Sequence, residues 1–499
     1  MTGRLRVDTA AGRWVLVATV GGSSLVMLDM TVVNVALERI GRDLGAGFGS
    51  LQWIINGYTL SLAALILLGG ALGDRFGRRR VFLIGVVWFA VASALCGLAP
   101  NPATLIAARA LQGVGGALLT PGSLALIAAS FDPAHRSRAI GAWSGLGGVT
   151  GAFGPFLGGA LVGWSWRWVF LVNIPLATAV LAITLRHVPE SRDPDAVPGI
   201  DLPGAALGVL GLGALTFTLT AAGERGLDAV VATAGVVAVL ALVGFLLVER
   251  RVAHPLVPLS LFGDRVFRAA NLVTLLIYSA LGVFFFLLVL QLQTVAGFSP
   301  TLAGSALLPV TVLMLVLSAR AGALADRIGA WVLLTVGPLL AAAGFVLTLR
   351  IGPGAGYLTQ VLPATATLGL GLSTTVAPLT ATVLAAADDH QAGAASGINN
   401  AVARSAGLLA VAVIPALAGL GGADYTDPAA YGTGFRHAML ISAGLLVGAS
   451  VLSVVVVRPA TLASAEPQVD ALRLAECPHC GVGAPQLHPG LPTASGPDR

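Results

Sequence analysis

The stretch GALGDRFGRRR, Gly70 to Arg80, returns 252 positions later as GALADRIGA, Gly322 to Ala330. In both places it ends one long apolar run and begins the next. A glycine-bearing turn repeated at that distance predicts two homologous halves that carry the same turn on the same face of the molecule.

The sequence on either side of the turn identifies the solvent. Of 499 residues, 56% are hydrophobic and 10% are charged. The apolar positions gather into runs of about 20 residues, the length at which a helix crosses a bilayer core. A water-soluble fold so poor in charge could not cover its surface, whereas helices in lipid satisfy their own backbone groups. The reading is an all-α integral membrane protein with fourteen spans at 13–37, 51–73, 81–99, 103–129, 139–163, 167–187, 204–222, 229–248, 270–294, 301–320, 331–350, 357–386, 393–420 and 437–457. The weakest boundary separates 204–222 from 229–248, where Gly223 to Asp228 (GERGLD) is the one polar break. Merging those spans would reverse everything downstream, and charge arbitrates. All 28 basic residues are arginine; with the amino terminus inside and arginines at span ends counted with the adjoining segment, 20 fall in cytoplasmic segments, 6 outside and 2 within spans. That bias favours fourteen spans with both termini cytoplasmic.

The net charge of +5 therefore faces an anionic inner leaflet, and no nucleic-acid partner is expected. Arg4, Arg6 and Arg13 precede an apolar stretch too long for a cleaved leader, so it reads as the first helix. Cys96 stands alone in the third span, and no disulfide framework is expected. In the tail, Cys477-Pro-His-Cys480 is half of a zinc knuckle with His488 as a third ligand, but a closed structural site needs four. The surrounding Pro, Gly, Ala and Ser read as disorder, and zinc at Cys477 and Cys480 stays an open question. No cofactor is expected.

The turn joins spans 2 and 3 in its first copy and spans 10 and 11 in its second. A displacement of eight helices implies two six-helix halves, parallel repeats about the membrane normal, with two helices inserted between them. The boundaries are 1–188, an inserted pair with its linkers at 189–268, 269–458, and a polar cytoplasmic tail at 459–499.

GALGDRFGRRR resembles, at every position, the loop signature G-x-L-x-D-R-x-G-R-[RK] of the major facilitator superfamily. Small residues at Gly70, Gly73 and Gly77 would let the turn pack on a neighbouring helix end. Asp74 would accept helix-terminal N–H groups or pair with an arginine such as Arg75 or Arg78. The second copy keeps Asp326 and Arg327 but lacks the trailing arginines, which makes Asp74 the stronger gating candidate. Span 5 carries GLGGVTGAFGPFLGG, similar to the antiporter signature of the superfamily's exporters, with Gly147, Gly151, Gly154 and Gly158 four or so apart, Gly159 beside them, and Pro155 permitting a bend. Span 4 resembles the pattern R-x-x-Q-G-x-G through Arg109, Gln112, Gly113 and Gly115.

A buried arginine costs roughly 3 kcal/mol or more unless it finds a partner or water. The one carboxylate within a span is Asp29, in a first-helix stretch resembling the fourteen-helix drug:proton antiporters. That signature usually continues Ala-Leu-Pro, where this chain has Ala36, Leu37 and Glu38. Counted from their helix ends, Asp29 and Arg109 lie at similar depth and could meet, either as a proton-coupling pair or as a static one. Asn34, Asn56, Tyr58, Gln112, Gln291, Gln293, Asn400 and Arg404 are candidate cavity residues, each equally readable as a helix-to-helix contact.

The resemblance implies a cell-membrane exporter that moves amphipathic small molecules against protons and performs no chemistry on them. An uptake carrier of the same fold is the near alternative. A membrane-embedded lipid-processing enzyme is the distant one, and it would need a catalytic cluster or nucleotide loop that the spans do not carry.

Overall fold

A computed structural model describes residues 5–192, 201–252, 255–387, 391–421 and 427–457. The tail at 459–499, with Cys477, Cys480 and His488, lies outside the described residues.

Among the described residues, fourteen long helices follow one another. They are α1 (Ala10–Leu44), α2 (Phe48–Phe76), α3 (Arg78–Gly97), α4 (Pro102–Ser130), α5 (Pro133–Trp164) and α6 (Trp168–His187). Next come α7 (Leu202–Arg225), α8 (Ala229–Glu249), α9 (Arg265–Leu290) and α10 (Leu308–Ile328). The last four are α11 (Ala330–Thr348), α12 (Leu362–Ala385), α13 (Ala392–Leu417) and α14 (Pro428–Leu452). Thirteen helices among the described residues are long and apolar enough to cross a membrane, and α5, 32 residues long, stands at the remaining expected span. The protein is a multi-pass integral membrane protein.

Local chemistry sets the helix starts. Thr9, Asn101, Asp201, Asp228, Asp264 and Asp427 each cap a following N–H with a side-chain oxygen, and Pro102 and Pro428 occupy first-turn positions where no N–H is needed. The doubtful GERGLD break is a turn: Gly226 takes φ 75°, and Arg225 pairs with Asp228 at 3.3 Å. α1 runs past its expected end at residue 37 to Leu44. Its last charged turns are held by Arg39 with Asp43 and Arg42 with Glu38, each pair four residues apart, and Gly45 closes it at φ 61°.

Both copies of the repeated turn have one geometry. Gly77 sits at φ 111° and donates to the Gly73 carbonyl at 3.0 Å; Gly329 sits at φ 88° and donates to the Ala325 carbonyl at 2.9 Å. A side chain is strained at such angles, which explains why glycine stands at both positions.

The helix ends define an arginine-rich end of the bundle, holding the Gly77 and Gly329 turns, and an opposite end, holding the α1–α2, α5–α6 and α9–α10 connections. At the opposite end one apolar core is continuous between the halves, joining Val35, Phe48, Leu51 and Val162 to Phe286, Leu290, Ala303 and Leu307. Toward the arginine-rich end the apolar cores are separate. One holds Leu16, Phe82, Leu126 and Val180 of the first half; in the second half the large core runs on to Phe267, Val383 and Val457, beside a small one of Ala321, Ala325 and Leu333. The continuous apolar seal between the halves therefore lies at the opposite end, while nearer the arginine-rich end Leu67 of α2 meets Gly397 of α13. α7 lies on the seam with α8 packed on it, the Phe217 ring tilted against Trp53 of α2 with centroids 6.4 Å apart and Gly223 against Ala416 of α13.

Candidate functional site

Asp29 and Arg109 meet in the interior of the first half. Arg109 Nη1 donates to Asp29 Oδ2 at 2.5 Å, and the two side chains are 1% and 0% exposed. Burying two charges is costly unless the remaining lone pairs and protons find partners, and here both groups have further partners. Asp29 Oδ1 accepts from Gln112 Nε2 at 2.8 Å and from Asn173 Nδ2 at 3.2 Å. Arg109 donates its Nε to the Ile54 carbonyl at 3.0 Å and shares Nη1 with Gln112 Oε1 at 2.6 Å. Ser93 Oγ accepts from Gln112 at 2.8 Å, and the Tyr58 ring lies 4.2 Å from the guanidinium carbon. Five helices, α1, α2, α3, α4 and α6, thus converge on one carboxylate.

A cavity of 310 Å³ lies between the halves. The first half lines it with Met27, Met30, Asn34, Asn56, Tyr58 and Arg109, the second with Tyr278, Phe285, Phe286 and Arg404. Asp29 does not reach it; Arg109 and Tyr58 stand between. Several lining groups hold unused hydrogen-bonding capacity: both amide atoms of Asn56, Asn34 Oδ1 and Tyr58 Oη are buried without partners among the described residues. Buried polar atoms are ordinarily paired, so four unpaired ones around a void mark a place for a ligand. A second cavity of 290 Å³ shares Met27, Tyr278, Ala403 and Arg404 with the first and continues past Asn400 and Ser396 toward the arginine-rich end.

The other residues singled out from sequence divide. Gln112 belongs to the Asp29 network instead of the cavity wall. Gln291 faces a separate 260 Å³ cavity at the opposite end and donates to the Ile351 carbonyl at 2.8 Å. Gln293 donates to the Val35 carbonyl at 3.0 Å, tying the second half to the first, as Gln52 does to the Val411 carbonyl at 2.7 Å.

In the first turn Asp74 accepts from Arg78 at 2.8 Å, while Arg75 lies over Phe76. The helix-terminal N–H groups expected to reach Asp74 go elsewhere: Arg79 and Arg80 donate theirs to Glu190, at 3.0 and 3.2 Å. The close helix approach expected at Gly70 and Gly73 falls on Gly69, where an added Cβ would lie 2.1 Å from the Ala117 carbonyl oxygen; Gly70 has only an ordinary contact with Pro121. A helix turns about 100° per residue, so one glycine in a run faces the neighbour and the next does not. In the second turn Arg327 lies in the last turn of α10, and the Asp326 side chain lies outside the described residues.

On α5, a Cβ at Gly154 would sit 1.9 Å from Thr31 Oγ1, and one at Gly158 3.0 Å from Val32, so both glycines seat α1. Gly159 points across the seam, where a Cβ would lie 2.5 Å from Thr301 Cα, and the Pro155 carbonyl meets Gly304 of the short helix Pro300–Ser305. Gly147 and Gly151 are helical, and their surroundings lie outside the described residues.

Sequence reasoning missed Ser93, Asn173 and Glu190. A single small polar residue in an apolar span carries no periodic signal, and Glu190 sits in a charged linker (PESRDPD) where one acid looks like the next.

The chain is 39% identical to a puromycin resistance protein of Streptomyces alboniger, covering 89% of this chain and 90% of that one. It is 36% identical to a cephamycin export protein of Amycolatopsis lactamdurans, covering 94% and 96%. Among solved structures, a bacterial homologue of the human lysosomal transporter Spinster superposes with a TM-score of 0.66 at 16% identity, over 90% of this chain and 98% of that one. The family model of the Major Facilitator Superfamily matches residues 19–412, and the chain belongs to that superfamily of membrane transporters.

Proposed function

We propose that this protein exports amphipathic small molecules from the cell in exchange for protons, with the Asp29–Arg109 pair as the coupling element. The arginine-rich end is cytoplasmic by the positive-inside rule. The cavities then extend toward the cytoplasm and the seal faces outward, the arrangement an exporter needs for loading. Relatives named for puromycin resistance and cephamycin export support the direction of transport.

One observation carries the coupling: the cation of the pair lines the cavity and its carboxylate does not. Ionised Asp29 holds Arg109 back against the Tyr58 ring. A protonated Asp29 loses most of its hold, and Arg109 is freed toward the unpaired Asn56 and Tyr58 groups. Proton and substrate thus communicate through a single guanidinium, and each biases the state the other prefers. The membrane potential adds about 2.3 kcal/mol per inward proton per 100 mV.

Everted vesicles test this reading. A panel of amphipathic compounds should accumulate when the interior is acidified and stop accumulating when a protonophore collapses the gradient. Accumulation indifferent to the gradient contradicts it.

A further inference from the structure

The charges around the cavity do not cancel. Arg109 is neutralised by Asp29, which is 0% exposed and out of a ligand's reach. Among the described residues, no acidic side chain lines either of these two adjoining cavities. Arg404 is different. It lies on the wall common to both, and its described hydrogen bond goes from Nη1 to Met30 Sδ at 2.9 Å, a weak acceptor for a guanidinium. No carboxylate pairs with it among the described residues. The lining also includes the unpaired Asn34 Oδ1, the Asn56 amide and the faces of Tyr278, Phe285 and Phe286.

We infer that this cavity selects amphipathic molecules bearing one negative charge, with Arg404 as the counter-charge. The inference rests on the export reading and names its substrate class. An anionic oxygen replaces a thioether with a charge-assisted hydrogen bond in a site of low dielectric. A cation meets Arg404 with no reachable acid to offset the repulsion. A neutral molecule leaves the guanidinium with its sulfur contact. The aromatic side chains receive the apolar body, and the two amides receive its carbonyl or hydroxyl groups.

Three dansyl probes of one body separate these cases: dansylglycine (anion), dansylglycinamide (neutral) and dansyl-ethylenediamine (cation). The protein is reconstituted in zwitterionic lipid, so that no lipid anion can be the occupant. Binding is read by dansyl fluorescence, and gradient-dependent uptake is read in the same vesicles. The wild type should bind the anion at least about tenfold more tightly than the amide, the scale of one charge-assisted hydrogen bond, and the cation least. Arg404→Gln should bring the anion-to-amide ratio close to one, and Arg404→Lys should keep most of it. Equal binding of anion and amide by the wild type overturns the inference without any variant, as does a ratio that Arg404→Gln leaves unchanged. Anion-selective binding with no gradient-dependent uptake upholds the inference and contradicts export; uptake with no anion preference does the reverse.

Discussion

Asp29 on α1 and Arg109 on α4 stand 80 residues apart in the chain and 2.5 Å apart in the fold, and every hydrogen bond around them keeps one charge from being buried alone. Removing one partner of such a pair typically costs about 3–5 kcal/mol, whereas replacing both costs much less. Arg109→Gln and Asp29→Ala should each lower the thermal midpoint in lipid markedly, and the double variant should recover part of the loss. Additive losses would show that the pair is not energetically coupled.

The repeated turn makes a second prediction. Gly77 at φ 111° and Gly329 at φ 88° hold backbone that side chains avoid, so alanine at either position should cost about 1–3 kcal/mol, read as a drop in midpoint. Gly77→Ala should be the worse of the two, because its Cβ would also press within 2.8 Å of the Glu190 carboxylate. Substitution at no cost at both positions would contradict the shared geometry, and equal costs would contradict the Glu190 contact.

Glu190 holds the amino terminus of α3 through two N–H groups. Neutralising it with Glu190→Gln removes the charge–dipole part of that contact, worth roughly 0.3–1 kcal/mol. The measurable result should be faster hydrogen exchange at Arg79 and Arg80 with little change in α4. Unchanged protection at both amides would assign the linker no such role.

Gly159 offers a way to move the seal. Because its Cβ would lie 2.5 Å from a backbone atom of Thr301, Gly159→Val forces the outer contact apart; overpacking of this kind costs about 1–3 kcal/mol and shifts the population toward the outward-open form. A cysteine placed at Asn34 in a cysteine-free background should then react several-fold faster with a membrane-impermeant thiol reagent added outside. No change in rate would locate the seal elsewhere.

Much of this was legible in the sequence because a bilayer dictates helix length and leaves the turns as the polar interruptions. GERGLD was enough to separate α7 from α8, and the register of the two glycine turns was enough to pair the halves. The depth argument brought Asp29 and Arg109 to one level, and they are in contact. Rotation about a helix axis was harder to read. Among Gly69, Gly70 and Gly73 the contact fell on the first, and of the adjacent Asn399 and Asn400, Asn399 bonds Asn271 and Thr274 of α9 while Asn400 returns to its own Ser396 carbonyl. A stretch rich in small residues presents several equivalent faces, and the neighbour's shape chooses among them. Likewise, that the charge of Arg109 is balanced while that of Arg404 meets no carboxylate among the described residues depends on where one carboxylate points.

The coupling claim is tested most directly by substrate-driven proton movement in proteoliposomes, measured with an internal pH dye for the wild type and for Asp29→Asn, a substitution that keeps the side chain's size and its hydrogen bonds to Gln112 and Asn173 in reach. The account predicts that substrate addition moves protons through the wild type and that Asp29→Asn abolishes this flux while binding persists; a variant that carries protons with substrate at the wild-type rate would contradict it.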